Sequence, residues 1–108
     1  RDPVIELSDR RLEFRRPASG QDVVPAQTVE ITNSGSRTLR ELSVDDVTDG
    51  GPVDWLFVLL DSRIAPATLT IAIKPAEAAA SQRSEATLEI TGEDAEPQRL
   101  TVILGEGG

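Results

Sequence analysis

Cysteine, histidine, methionine and tyrosine are all absent from this 108-residue chain, and its only aromatic residues are Phe14, Trp55 and Phe57. Without histidine or cysteine there is no Ser–His or Cys–His nucleophilic pair, no thiolate and no disulfide. Zinc and redox metals lose the nitrogen and sulfur ligands they favour. No glycine-rich phosphate loop or Walker pattern occurs. Paired carboxylates for glycoside chemistry remain formally available. Sugar sites also stack aromatic rings, however, and few rings exist. The expectation is a protein that is not an enzyme and takes no cofactor. No stretch approaches the roughly 20 apolar residues that cross a bilayer, so membrane insertion is not expected.

Positive charge is also in short supply. Eleven Lys and Arg stand against nineteen Asp and Glu, for a net charge of −8. Such a surface repels phosphate backbones and anionic head groups, which argues against nucleic acid as a partner and for high solubility. The chain opens Arg1-Asp2-Pro3, neither a signal peptide nor an initiator start, and reads as a mature product or excised fragment.

What is present is alternation. The apolar share of 38% suffices for one packed core. Val29 and Ile31, then Leu69, Ile71 and Ile73, then Ala86, Leu88 and Ile90, then Leu100, Val102 and Leu104 recur at every second position, opposite Thr, Glu and Arg. Period two marks half-buried strands. The segments are 28–33, 68–73, 85–91 and 99–104, with shorter strands at 4–7 and 11–15 broken at Ser8-Asp9. A less regular strand over 39–47 breaks its alternation at Leu39, Leu42 and Val44, which predicts a bulge near Arg40-Glu41. Turn clusters at 17–20, 33–35, 49–52, 65–66, 92–94 and Pro97 recur at sandwich-like spacing. The alanine-rich Pro75 to Ala80 predicts one helical turn crossing between sheets, and Gly105-Glu106-Gly107-Gly108 a flexible tail after a domain at 1–104. The fold class expected is all-β, an antiparallel sandwich of seven or eight strands with one short helical crossover.

Four stretches point further. Pro25 to Leu39, PAQTVEITNSGSRTL, resembles the P-x-Q-T-V-T-I-T-N-S-G-x-x-x-L stretch of bacterial BACON-like and related immunoglobulin-like domains. Trp55-Leu56 resembles their W-L strand, Ala65 to Ile71 their A-P-x-T-L-T-V strand, and Glu96 to Val102 their closing x-P-Q-x-V-x-V strand. The likeness spans nearly the whole chain. It implies an immunoglobulin-like sandwich that serves as a structural or adhesive module in a secreted or cell-surface bacterial protein, and it carries no ligand site. Asn33-Ser34-Gly35 is expected to supply a positive φ at a tight turn. The chain departs from the family pattern after Trp55-Leu56 and at Ser81 to Ser84.

Three clusters remain as candidate sites. Asp45, Asp46 and Asp49, before Gly50-Gly51, offer hard oxygen ligands for Ca²⁺, although the spacing is not that of an EF-hand and a solvated turn explains it equally well. Arg11 and Arg15 line one outer face, either guarding an edge strand by charge or meeting an acidic neighbouring copy. Trp55 to Leu60 is six apolar residues in succession. With Trp55 in the core, Phe57 and Leu59 share its side, and Leu56, Val58 and Leu60 face outward beside Ile64. A bulge inverts part of this, so either set can be the outer one, and a fully buried central strand would use both. An outer apolar set predicts a contact with a neighbouring domain or another copy. That leaves three functions: the structural or adhesive module, a self-assembling subunit of an extracellular filament or coat, and a carbohydrate-binding module, which needs Trp55 or Phe57 exposed.

Overall fold

A computed structural model describes residues 2–105. Eight strands and one short helix follow in the order β1 (Ile5–Leu7), β2 (Arg11–Arg15), β3 (Gln27–Asn33), β4 (Ser43–Asp46), β5 (Leu56–Leu60), β6 (Ala67–Ile73), α1 (Pro75–Ala80), β7 (Glu85–Gly92) and β8 (Ala95–Gly105). They form two four-stranded sheets, β1-β3-β6-β5 and β2-β8-β7-β4. The all-β sandwich with one short helical crossover is therefore the architecture. Every residue at the alternating positions of β3, β6, β7 and β8 named above lies in one continuous core, together with Phe14, Leu39, Leu42 and the fully buried Trp55. No polar or charged residue is buried among the described residues. Burying these side chains stabilises by roughly 1.5–3 kcal/mol for each large aliphatic or aromatic one, which is what offsets chain entropy where no disulfide helps.

Five details differ from the sequence reading. First, β2 runs parallel to β8, with Leu12 opposite Val102 and Phe14 opposite Leu104. The first strand is split: β1 pairs antiparallel with β3 in one sheet, and beyond Ser8 the chain carries on into the other sheet. A strand that changes sheets without reversing meets β8 in parallel.

Second, the strand expected over 39–47 is only Ser43–Asp46. Leu39 and Leu42 are both buried, but Arg37 and Glu41 take left-handed backbone, with φ of 66° and 57°. The broken alternation comes from this irregular loop, not from a bulge in a strand. The loop is held from outside: Leu42 N–H donates to the Arg63 carbonyl and Ala65 N–H to that of Leu39. Arg40 meets Glu93 at 2.6 Å, which holds its guanidinium pKa above the ordinary value.

Third, Gly35 does not supply a positive φ; among glycines, Gly50 and Gly51 do. Gly35 is needed for closeness, since a Cβ there would lie 2.5 Å from the Asp2 carbonyl oxygen. Asn33 organises that turn. Its Oδ1 accepts from the N–H groups of Val4 (3.0 Å) and Gly35 (2.9 Å), and its Nδ2 donates to the Arg37 carbonyl (2.8 Å).

Fourth, β8 begins at Ala95 and runs through Pro97. The β7–β8 register shifts between Ile90 and Gly92, so the proline sits opposite an irregularity, where a missing donor does not interrupt the ladder.

Fifth, Gly105 closes β8 opposite Arg15 and is not tail; the rest of the expected tail, 106–108, lies outside the described residues. The helix matches its expectation. Pro75 occupies the first turn, and the chain crosses there from β6 in one sheet to β7 in the other.

A candidate interaction surface on strand β5

The six-residue apolar run divides at its first residue. Trp55 precedes β5 and turns fully into the core. Its carbonyl accepts from Lys74 N–H at 2.7 Å, tying the start of β5 to the end of β6. From Leu56 onward strand alternation resumes in the opposite sense to the one a buried Trp55 implies. Leu56, Val58 and Leu60 are half-buried against the core, whereas Phe57 and Leu59 stand outside at 49% and 55% exposure. The outer set is thus Phe57 and Leu59. Ile64 joins them in exposure, at 54%.

The sheet around these two residues adds no charge. Register places Phe57 beside Ala72 and Leu59 beside Thr70, with Thr28 next along the row. Charge resumes around this row, at Asp61 and Lys74 and at Glu30 on β3, whose carboxylate accepts from the Thr68 hydroxyl. A contiguous uncharged patch on the outer face of a sheet, in a chain of net charge −8, is the surface feature that single exposed aliphatics are not.

On the inner side of β5 a groove of about 300 Å³ separates the two sheets at this flank. Val58 and Leu60 form one wall, and Leu42 and Val44 the other, with Arg63 at one end. It exists because β4 and β5 are the outermost strands of their sheets and no further strand spans the gap.

The other candidate residues are dispersed. Alternation along β4 leaves Asp45 exposed, opposite Glu89, while Asp46 turns to the loop. The Asp46 carboxylate accepts from Thr48 N–H (2.9 Å), from the Thr48 hydroxyl and, through its other oxygen, from Val53 N–H (3.0 Å). Thr48 Oγ1 in turn accepts from Thr87 N–H at 3.0 Å. Asp46 is therefore a loop organiser whose oxygens already have donors. Among the described residues no group of three or more acidic side chains gathers as metal ligands.

The glycines of that loop are held from the far side. Arg83 donates to the carbonyls of Asp49 (3.0 Å), Gly51 (2.7 Å) and Pro52 (3.3 Å), so its guanidinium is occupied by backbone. A concavity of about 540 Å³ lies beside this clasp and beside α1. Its charged walls are Asp54, Glu77 and Arg83. The nearby Ser81 hydroxyl is bound into its own turn with Arg83 N–H.

Arg11 and Arg15 lie on the exposed face of β2, as alternation requires, with Arg11 3.8 Å from Glu13. Arg10 donates to Gln98, and Arg16 reaches the carbonyls of Ala78 and Ser81, each at 2.8 Å, at the end of α1. The basic run serves several neighbours and forms no single patch. Of the aromatics only Phe57 reaches the surface, since Trp55 and Phe14 are buried.

Sequence reasoning missed Arg83, Asn33 and Asp46 as organisers. An Asn or Asp ahead of Ser-Gly or Thr is a local signal for side chain–backbone turns. Arg83 gives no such signal, because its partners lie more than thirty positions away.

Compared with models of known protein families, with curated proteins and with solved structures, the chain has no significant match.

Proposed function

We propose that this chain is a non-catalytic interaction module, an immunoglobulin-like sandwich of the BACON-like kind that acts as a structural or adhesive unit of a secreted or cell-surface bacterial protein. The strand order supports the immunoglobulin-like assignment. Taking β1 and β2 as one split first strand, the sheets read A-B-E-D and A′-G-F-C, which is the A-B-E-D and G-F-C order of constant-type immunoglobulin domains with an added A′ strand beside G. The tryptophan departs from that pattern, standing before β5 and not on β4.

The observation that carries the interaction reading is the exposed pair Phe57 and Leu59, whose immediate neighbours on the sheet, Ala72 and Thr70, carry no charge. Leaving two large apolar side chains half in water forgoes about 1 kcal/mol or more of burial each, which a contact surface recovers on docking. Hydroxyl-radical footprinting tests this. Oxidation of Phe57 and Leu59 should be high in the dilute isolated chain and fall in the assembled setting, whether that is concentrated protein or the longer polypeptide. Equal oxidation in every setting would sink the reading. The double variant Phe57→Ser/Leu59→Lys should keep its melting temperature within a few degrees, because neither side chain fills the core. Unfolding would instead make the face part of the core.

A further inference from the structure

Strand β5 differs from the other three sheet edges in a way that names its occupant. The inference rests on the interaction reading above and specifies the partner. In an antiparallel ladder, residues alternate between bonding one neighbour and facing away from it. Lys74 N–H donates to the Trp55 carbonyl and Asp61 N–H to the Thr68 carbonyl. Parity then directs the backbone groups of Phe57 and Leu59 at β6. The N–H and C=O groups of Leu56, Val58 and Leu60 point the other way, off the edge of the sheet.

The remaining edges are blunted. β1 has three residues, with the chain at its start tied to Asn33. β2 presents Arg11, Glu13 and Arg15. β4 has four residues, of which two are Asp45 and Asp46, and Leu42, just ahead of it, bonds Arg63. Short length and charge are the usual guards against edge-to-edge pairing. β5 has neither guard, being Leu-Phe-Val-Leu-Leu without a charge, proline or glycine.

We infer that β5 is the site at which two copies of this chain pair, antiparallel and edge to edge, about a twofold axis at Val58. The strand is self-complementary in that register. Val58 meets its own copy, Phe57 meets Leu59, and Leu56 meets Leu60, so every cross-strand pair is apolar. The outward backbone groups of Leu56, Val58 and Leu60 meet their equivalents with the parity that hydrogen bonding needs. At the ends Asp61 falls opposite Trp55, whose side chain is in the core, and Asp54 opposite Ser62. No carboxylate meets another. The outer patches of the two copies become continuous, and the inner side chains of the added strand extend over the groove walled by Leu42 and Val44. A second copy fits because an isologous contact needs one surface that complements itself. An edge pairing of this size lies below about 1,200 Å², so the dimer should be reversible and weak, at about micromolar or higher protein concentration.

Sedimentation equilibrium from about 1 µM to about 1 mM, with a set of single-cysteine variants, tests the pairing. The native chain has no cysteine, so each introduced thiol is unique. The unmodified chain should show a monomer–dimer equilibrium. Because each copy carries net charge −8, the equilibrium should tighten as salt rises from about 0.05 to about 0.5 M. Leu59→Lys should raise the dissociation constant about tenfold or more with an unchanged melting temperature. Val58→Cys should form a covalent dimer on mild oxidation, since Cα atoms about 5.5 Å apart suit a disulfide. Leu56→Cys alone should not, but should cross-link when mixed with Leu60→Cys. A chain monomeric throughout, or dimers that Val58→Cys fails to trap, overturn the pairing. If Phe57 and Leu59 are still protected in either case, the contact-surface reading stands without it. If they are not protected, both fall.

Discussion

Replacing Trp55 with phenylalanine opposes two terms of similar size. Trp55 is fully buried, and its indole N–H is the only buried side-chain polar atom without a partner among the described residues. An unmade buried hydrogen bond costs about 1–3 kcal/mol, and phenylalanine removes the donor. Against this, phenylalanine leaves a void of roughly 40 Å³, worth about 1 kcal/mol at about 24 cal/mol per Å³, and loses a comparable transfer term. The sum is close to zero, so Trp55→Phe should lie within about 1 kcal/mol of the parent, or about 4–8 °C in melting temperature. Trp55→Ala keeps no ring and should lose about 3–5 kcal/mol. Trp55 is the only tryptophan, so its fluorescence cannot follow the variants; urea unfolding by far-UV circular dichroism can. In the parent, emission should be blue-shifted and poorly quenched by iodide. A loss of about 3 kcal/mol or more in Trp55→Phe would refute the reasoning, because the N–H would then be making a bond worth keeping.

Two further outcomes follow from the loop and the turn. Asp46→Ala strands the N–H groups of Thr48 and Val53 and should cost about 1–3 kcal/mol, whereas Asp45→Ala, which relieves a carboxylate opposite Glu89, should be neutral or slightly stabilising; Ca²⁺ or chelator should leave the melting temperature of the parent unchanged, and a rise of several degrees with Ca²⁺ would show a site the native state binds. Gly35→Ala must push its Cβ away from the Asp2 carbonyl and Val4, so thermal melting should report a loss of about 1–3 kcal/mol and hydrogen exchange should show faster opening at β1; a neutral result would mean the chain before β1 yields freely.

The alternating segments were legible because period two is a property of the strand itself. Val29, Ile31, Leu69, Ile71, Leu88, Ile90, Leu100 and Val102 could be assigned to a core without knowing which strand lay beside which. Pro75 likewise marked the helical turn through its fixed φ. The Trp55 to Leu60 run set a harder problem. Sequence predicted an outward-facing apolar set, with a fully buried strand as the alternative, but not which set it would be, since a single non-strand residue reverses the phase. Tertiary structure decided it by turning Trp55 into the core before β5 begins, which leaves Phe57 and Leu59 in water.

The same holds wherever partners are distant in the chain. Leu39 and Leu42 are both buried because left-handed residues reset the direction of the loop around them. Gly35 is small for the sake of Asp2, and Arg83 clasps a loop more than thirty residues away. The parallel pairing of β2 and the open flank at β5 are likewise properties of strand order. Composition and periodicity determined what kind of layers this chain makes, because they depend on each residue and its near neighbours. Which strands became edges, and which apolar face was left uncovered, depended on contacts between segments far apart in sequence, and only the assembled sandwich fixes those.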